Sequence, residues 1–141
     1  MYLKIQNPNS KKILKVYTGG AVFKGCVAVL SSTTAVLGAA SISTGVMLGI
    51  FLEDQDTASV GLIQPFSDDS VVEGIYTGTS KTSLTDADLG KVIDIVVSTT
   101  TTANDTQKFN LDDLAGPFQI VGYDNDAKKV WCKPLLSCRY I

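Results

Sequence analysis

The sequence predicts an all-β protein: a small single-domain β-sandwich or β-barrel with one short helical turn near residues 85–90. Three observations carry this. Roughly eight to ten short runs rich in Val, Ile and aromatic residues have strand length and fall short of globular helices. Clusters of Gly, Pro, Asn, Asp and Ser punctuate them as turns. Only one segment carries helix-boundary chemistry. At 141 residues the chain fits one domain, and an apolar fraction of 45% with a charged fraction of 18% marks it as globular rather than disordered.

Residues 1–12, MYLKIQNPNSKK, alternate apolar side chains at Leu3 and Ile5 and then break at Asn7-Pro8-Asn9-Ser10. We expect residues 1–12 to be either an N-terminal arm that orders on binding or an ordinary frayed terminus, with residues 13–141 forming a single β domain. Such an arm adds a strand to a neighbour's sheet, so its removal is expected to spare folding and abolish attachment. The first strand is ILKVY at 13–17, stopped by Thr18-Gly19-Gly20. AVF at 21–23 and CVAVL at 26–30 flank a turn at Lys24-Gly25. Residues 31–46 are almost all small and read as a link around one short strand, TAVL at 34–37. MLGIF at 47–51 follows, then the acidic corner Glu53-Asp54-Gln55-Asp56 and a return strand at 58–63.

VVEGIY at 71–76 is the next strand, with Gly74 marking a bulge. In the segment at 83–90, Thr85 caps a single helical turn, Asp86 and Asp88 sit favourably at its start, and Gly90 ends it. VIDIVV at 92–97 is a strand whose Asp94 is expected on a solvent face or beside a basic partner. STTTTAND at 98–105 is a polar loop tip, and FNLDDL at 109–114 reads as a turn or loose helical piece. The clearest hairpin joins FQIVGY at 118–123 to KVWCKP at 129–134 through Asp124-Asn125-Asp126-Ala127. The tail from residue 135 is expected to supply a last strand or a contact segment.

The inventory for catalysis is poor. Without histidine, no histidine triad, proton shuttle or conventional zinc site can form. Cys26, Cys132 and Cys138 are odd in number without a close pair, and read as buried free thiols. GGAVFKG lacks the Lys-Ser pair and following helix of a phosphate cradle, and DND lacks the glycine and distal glutamate of a calcium loop. A non-enzyme is expected, with no catalytic residue, metal or cofactor. The longest apolar runs are about half a membrane span, and the N-terminus lacks a signal peptide's apolar core, so an intracellular product, or one assembled inside a cell and released with a particle, is expected.

Net charge is only −2 but unevenly spread. Residues 1–52 hold Lys4, Lys11, Lys12, Lys15 and Lys24 with no acid. All 14 acids lie in 53–127 against Lys81, Lys91 and Lys108, and the last residues are basic again. This pattern suits docking on an acidic partner, contacts between copies, or pairing of the ends with the middle inside one fold. The basic residues are too few, and too little interleaved with aromatics, for a nucleic-acid binder.

The stretch from Gly19 to Ile63 also resembles the small head decoration, or cement, proteins of tailed bacteriophages, the lambda-like group among them. The matching parts are a Gly-rich strand and short apolar strand at 25–30, the Ser/Thr/Ala-rich link at 31–45, Leu48-Gly49-Ile50, and the acidic turn at 53–57. The resemblance implies a β-tulip-like fold in a structural virion protein on the outer surface of a capsid, assembled in the host cytoplasm. It implies a homotrimer that bridges neighbouring major capsid subunits, with no nucleic acid, membrane or small-molecule partner. Its capsid contacts would be Tyr2, Leu3, Lys4 and Ile5 of the arm, with Lys11, Lys12 and Lys15. Two other readings stay open: a soluble β-barrel binding carbohydrate or peptide through Tyr76, Tyr123, Trp131 and Tyr140, and a minor head–tail or tail component.

Overall fold

The computed structural model describes residues 3–6, 13–31, 34–37, 46–55, 57–67, 69–97 and 107–135. Its strands are β1 (Lys4–Ile5), β2 (Leu14–Tyr17), β3 (Val27–Ser31), β4 (Thr34–Leu37), β5 (Val46–Phe51) and β6 (Val60–Pro65). They continue with β7 (Val72–Thr77), β8 (Val92–Val97), β9 (Gln107–Asn110), β10 (Phe118–Asp124) and β11 (Lys129–Pro134), with one 3-10 turn at Asp86–Asp88. The protein is all-β.

Strands β7, β11, β10, β8 and β9 hydrogen-bond in that order, and a parallel pairing of β9 back onto β7 closes them into a barrel. One edge of β7 carries β11. Its other edge is shared end to end, by β1 at Val72–Glu73 and by β9 at Tyr76–Thr77. Alternation along β10 and β11 sends Phe118, Ile120, Val130 and Cys132 into the main core. A bulge between Ile120 and Gly122 bends β10 there, leaving Val121 exposed. Phe118 is the core's centre, edge-on to Phe66 at 6.0 Å and to Phe109 at 5.3 Å.

The second sheet runs β2-β6-β5-β3-β4 and curls until Thr18, just past β2, bridges Ala35 of β4. It encloses a smaller core of Val22, Cys26, Ala28, Ala35, Leu48, Phe51 and Ile63. Its other face lies against the barrel through Val27, Met47 and Ile50. Strand β5 therefore has a core on each side. That is why VMLGIF shows no apolar–polar alternation.

The hairpin, the short strand at 34–37 and the helical turn lie where expected. Cys26 and Cys132 are buried thiols outside any disulfide, and burial pushes the Cys132 thiol up; Cys138 lies outside the described residues. Several expectations change. Of 21–23, only Val22 pairs, in an isolated bridge to Gln55. Part of 109–114 belongs to β9, where Gln107 and Phe109 point inward between Lys108 and Asn110. The inward Gln107 is accommodated because its Oε1 accepts the Val27 N–H at 2.7 Å. Asp94 is buried rather than on a solvent face, and its carboxylate accepts the Ile95 N–H.

The arm also changes. Leu3 and Ile5 are buried in the main core, and β1 pairs with β7. The Leu3 N–H donates to the Gly25 carbonyl and the Gln6 N–H to that of Val71. Residues 3–6 thus belong to the folded domain, because two large apolar side chains gain more from burial than from waiting for a partner. Residues 1–2 and 7–12 lie outside the described residues.

Two polar clamps fix the barrel's loops. Asn125 accepts hydrogen bonds at Oδ1 from the Tyr76 hydroxyl and the Leu84 N–H, and its Nδ2 donates to the Leu84 carbonyl. The Asp-Asn-Asp turn is thereby committed to holding the 84–85 loop. Around the helical turn, the buried Asp88 carboxylate accepts the Thr85 N–H and pairs with Lys81 and Lys91 at 3.1 Å each. The Thr85 hydrogen bond, with help from both lysines, lowers the Asp88 pKa from 3.8 to about 2.

A carboxyl whose folded pKa is depressed stabilises the fold above its unfolded pKa and loses that contribution as pH falls through the folded one. The Asp88 contribution should therefore vanish between about pH 4 and pH 2. Asp88→Asn is expected to destabilise by about 1–3 kcal/mol at neutral pH. Its urea midpoint should converge on that of the parent as pH falls. A gap that persists unchanged at pH 2 would mean that the ion pairs are not its source. Asp112, which accepts the N–H groups of Thr79, Ser80 and Lys81, is also held at about 2, so the parent serves as the background for its own titration.

Candidate functional site

The register of β2 on β6 sorts their side chains between two faces. Leu14 opposite Ile63 and Val16 opposite Gly61 turn toward the small core. Lys15 opposite Leu62 and Tyr17 opposite Val60 turn the other way, and period-two alternation places Ile13 with them. Ile13, Tyr17 and Val60 are 44%, 56% and 52% exposed. Together with half-buried Leu62 they make an apolar stripe with the exposed Lys15 in its middle.

The same sheet face continues through Gln64, paired with Ile50, to the junction with the barrel. There a cleft of about 460 Å³ opens between β1 and β5. Its apolar walls are Leu3, Ile5, Ile50 and Leu52, and its charged lining is Lys4, Lys24, Lys129 and Glu73. The turn carrying Lys24 is fixed: Gly25, at φ 80°, donates to the Phe51 carbonyl and accepts from Leu3, and the Lys24 N–H donates to Asp54. Glycine at that positive φ is the residue that takes it without strain.

Glu73 lies between Lys4 at 3.2 Å and Lys129 at 3.3 Å and accepts a hydrogen bond from Gln6 Nε2. Burial alone would raise its pKa. Hydrogen-bonded pairing with the two lysines outweighs burial and holds the carboxyl below its ordinary value.

The residues expected at the site separate. Lys15 is exposed in the apolar stripe, and Lys4, 66% exposed at its side chain, stands at the cleft. Leu3 and Ile5 are core residues whose side chains are not free for a partner. Tyr2, Lys11 and Lys12 lie outside the described residues. Sequence reasoning missed Ile13, Tyr17, Val60, Lys24 and Lys129. The alternation Ile13-Lys15-Tyr17 was a usable signal, but the opposing Val60 and Leu62 come from a strand far along the chain.

The aromatics proposed as a ligand platform are dispersed in role. Tyr76 is buried, the Tyr123 hydroxyl donates to Asp86, and Trp131 packs over Gly122; Tyr140 lies outside the described residues. Among the described residues, no group of three or more His, Cys, Asp or Glu could hold a metal ion. No described helix is long and apolar enough to cross a membrane. What the exposed face offers chemically is apolar area to bury and ammonium groups to pair with acids. Compared with known proteins, the chain matches no family model and no curated sequence.

Proposed function

We propose that this protein is a structural virion component of the head-decoration kind, which binds the outer surface of a phage capsid and bridges neighbouring major capsid subunits as a homotrimer. The observation that carries the reading is the exposed stripe of Ile13, Tyr17 and Val60 around Lys15, on the face of β2 and β6 opposite the small core. Apolar side chains gathered on one face mark an interaction surface, whereas scattered ones do not. A specific interface needs about 800 Å² from each partner, with aromatic anchors at its centre, and Tyr17 is placed for that role. Lys15 and Lys4 add attraction to acidic capsid surface and fix its register. The reinforcing effect would come from multivalency, since separating two capsid subunits requires several contacts to break together.

The test is cosedimentation of the protein with purified capsids of the source phage. Near-equal numbers of this chain and the major capsid protein on the particle are expected, and a handful of copies would instead indicate a head–tail or tail position. Tyr17→Thr with Val60→Thr is expected to abolish attachment while moving stability by about 1 kcal/mol, since both sites are surface-exposed and threonine suits a strand. Undiminished attachment of a folded double variant removes this face from the reading. Absence of the protein from particles overturns the reading itself.

A further inference from the structure

We propose that the outer edge of β2, over residues 13–17, is a docking site for an extended acidic segment of a partner protein, which joins the five-stranded sheet as a further strand. The inference rests on the reading of the Ile13, Tyr17 and Val60 face as an attachment surface, and it specifies how that surface binds and what sequence it takes. Two features meet there: an edge of unpaired backbone groups, and a lysine set between apolar side chains.

The edge follows from the register. β2 and β6 pair antiparallel without a shift, from Leu14 opposite Ile63 to Tyr17 opposite Val60. In such a ladder, residues that exchange hydrogen bonds with the facing strand alternate with residues whose N–H and C=O point the other way. The Thr18 N–H donates to the Ser59 carbonyl, which places Leu14, Val16 and Thr18 in the bonded set. The Ile13 carbonyl, both backbone groups of Lys15 and the Tyr17 N–H therefore point out of the sheet. The sheet curls back on itself only beyond them, where Thr18 bridges Ala35 and the Gly19 N–H donates to the Ala35 carbonyl. Among the described residues, no strand pairs with β2 on that side before Thr18. An open edge of this kind pairs readily with an extended chain through its main-chain hydrogen bonds.

The side chains select the occupant. Ile13, Lys15 and Tyr17 carry both the open backbone groups and the exposed side chains, so an added strand sets its own alternate side chains directly beside them. Among the described residues, no carboxylate pairs with Lys15. A residue opposite Lys15 gains most by being acidic. The residues two positions to either side gain by being apolar, next to Ile13 and Tyr17. The preferred segment thus reads apolar-x-acid-x-apolar over five residues, about 17 Å of strand. A second copy of this chain is the disfavoured occupant. Antiparallel pairing of two β2 edges about Lys15 sets the two lysines opposite each other, a destabilising like-charge pair. Lysine on an edge strand is a common guard against such self-pairing.

The experiment titrates the intact, isotope-labelled protein with the end-capped peptide Thr-Val-Thr-Glu-Thr-Ile-Thr in amide-resolved NMR, with no capsid present. Saturable shifts are expected, concentrated at Ile13, Lys15 and Tyr17. Replacing the peptide's Glu by Lys should weaken binding at least about tenfold. Lys15→Glu, a change at an exposed position, should reverse that preference in a chain that keeps its native spectrum. A strand turns only every second amide toward the edge. Methylating the peptide's Glu nitrogen and methylating the next Thr nitrogen should therefore differ at least about tenfold in their effect. No saturable shift up to about 5 mM peptide, equal binding of the Lys peptide, or equal effects of the two methylations overturns the proposal. So do shifts at the same residues when the protein alone is concentrated, which would make a second copy the occupant. Capsid attachment that persists when the peptide fails leaves the decoration reading standing, and peptide binding without capsid attachment removes that reading and keeps the strand site.

Discussion

Replacing Gly49 by alanine is expected to cost about 3 kcal/mol or more, placing it at the severe end of single substitutions. Gly49 lies in the middle of β5, opposite Pro65 of β6. A Cβ there would collide with the Gln64 carbonyl oxygen and come within 2.7 Å of its carbon and 2.8 Å of the Pro65 Cα. These are backbone atoms, so no side-chain rotation relieves the clash. Nor can β5 slide away. Leu48 is buried in the small core and Ile50 in the main one, and shifting the strand disturbs both. Against a typical total of about 5–15 kcal/mol, such a loss leaves a marginal fold.

The check is a urea melt, in which the midpoint should fall with little change in slope. Gly20→Ala is the control, since a Cβ there meets nothing within 4 Å. A Gly49→Ala midpoint close to that of Gly20→Ala would mean that β5 and β6 are not packed as described.

What could be read from the sequence followed from how local each feature's cause is. The 118–134 hairpin was legible because turn chemistry and alternation sit within one short window. β5 was legible as a strand, but its two-sided burial was not, since that depends on a barrel assembled from the distant C-terminal half. β9 was missed because Gln107, Lys108 and Asn110 look polar, and the Val27 N–H that the inward glutamine meets comes from a remote strand. Barrel closure by the parallel β7–β9 pairing leaves no local mark at all. The same holds for the candidate site. Ile13, Lys15 and Tyr17 share a face by simple alternation, but the stripe exists only once β6 brings Val60 and Leu62 alongside. The cleft's lysines come from three separate regions, β1, the turn after Phe23, and β11.

The N-terminal segment offers the other large effect, and it bears directly on how attachment is tested. Leu3 is 2% exposed and Ile5 8%, both in the main core. The Leu3 side chain lies over Gly74 beside the Phe109 ring, space that a Cβ on residue 74 would contest. Single truncation of a buried Leu or Ile costs about 2–5 kcal/mol. Because both side chains fill one core their losses will not simply add, and Leu3→Ala with Ile5→Ala is expected to cost about 4–6 kcal/mol. Deleting residues 1–10 should do at least as much, instead of leaving the fold intact. Loss of capsid attachment after such a deletion would then report unfolding and say nothing about contact. Lys4 separates the two effects. Its pair with Glu73 is largely solvent-exposed on the lysine side and is worth at most about 1 kcal/mol, so Lys4→Gln leaves the core in place, keeps a hydrogen-bond donor beside Glu73 and removes the charge that a partner meets. A double alanine variant that melts within about 1 kcal/mol of the parent would refute the buried placement. Residues 3–6 would then be available to a neighbour after all, and the arm would again be the first place to look for the capsid contact.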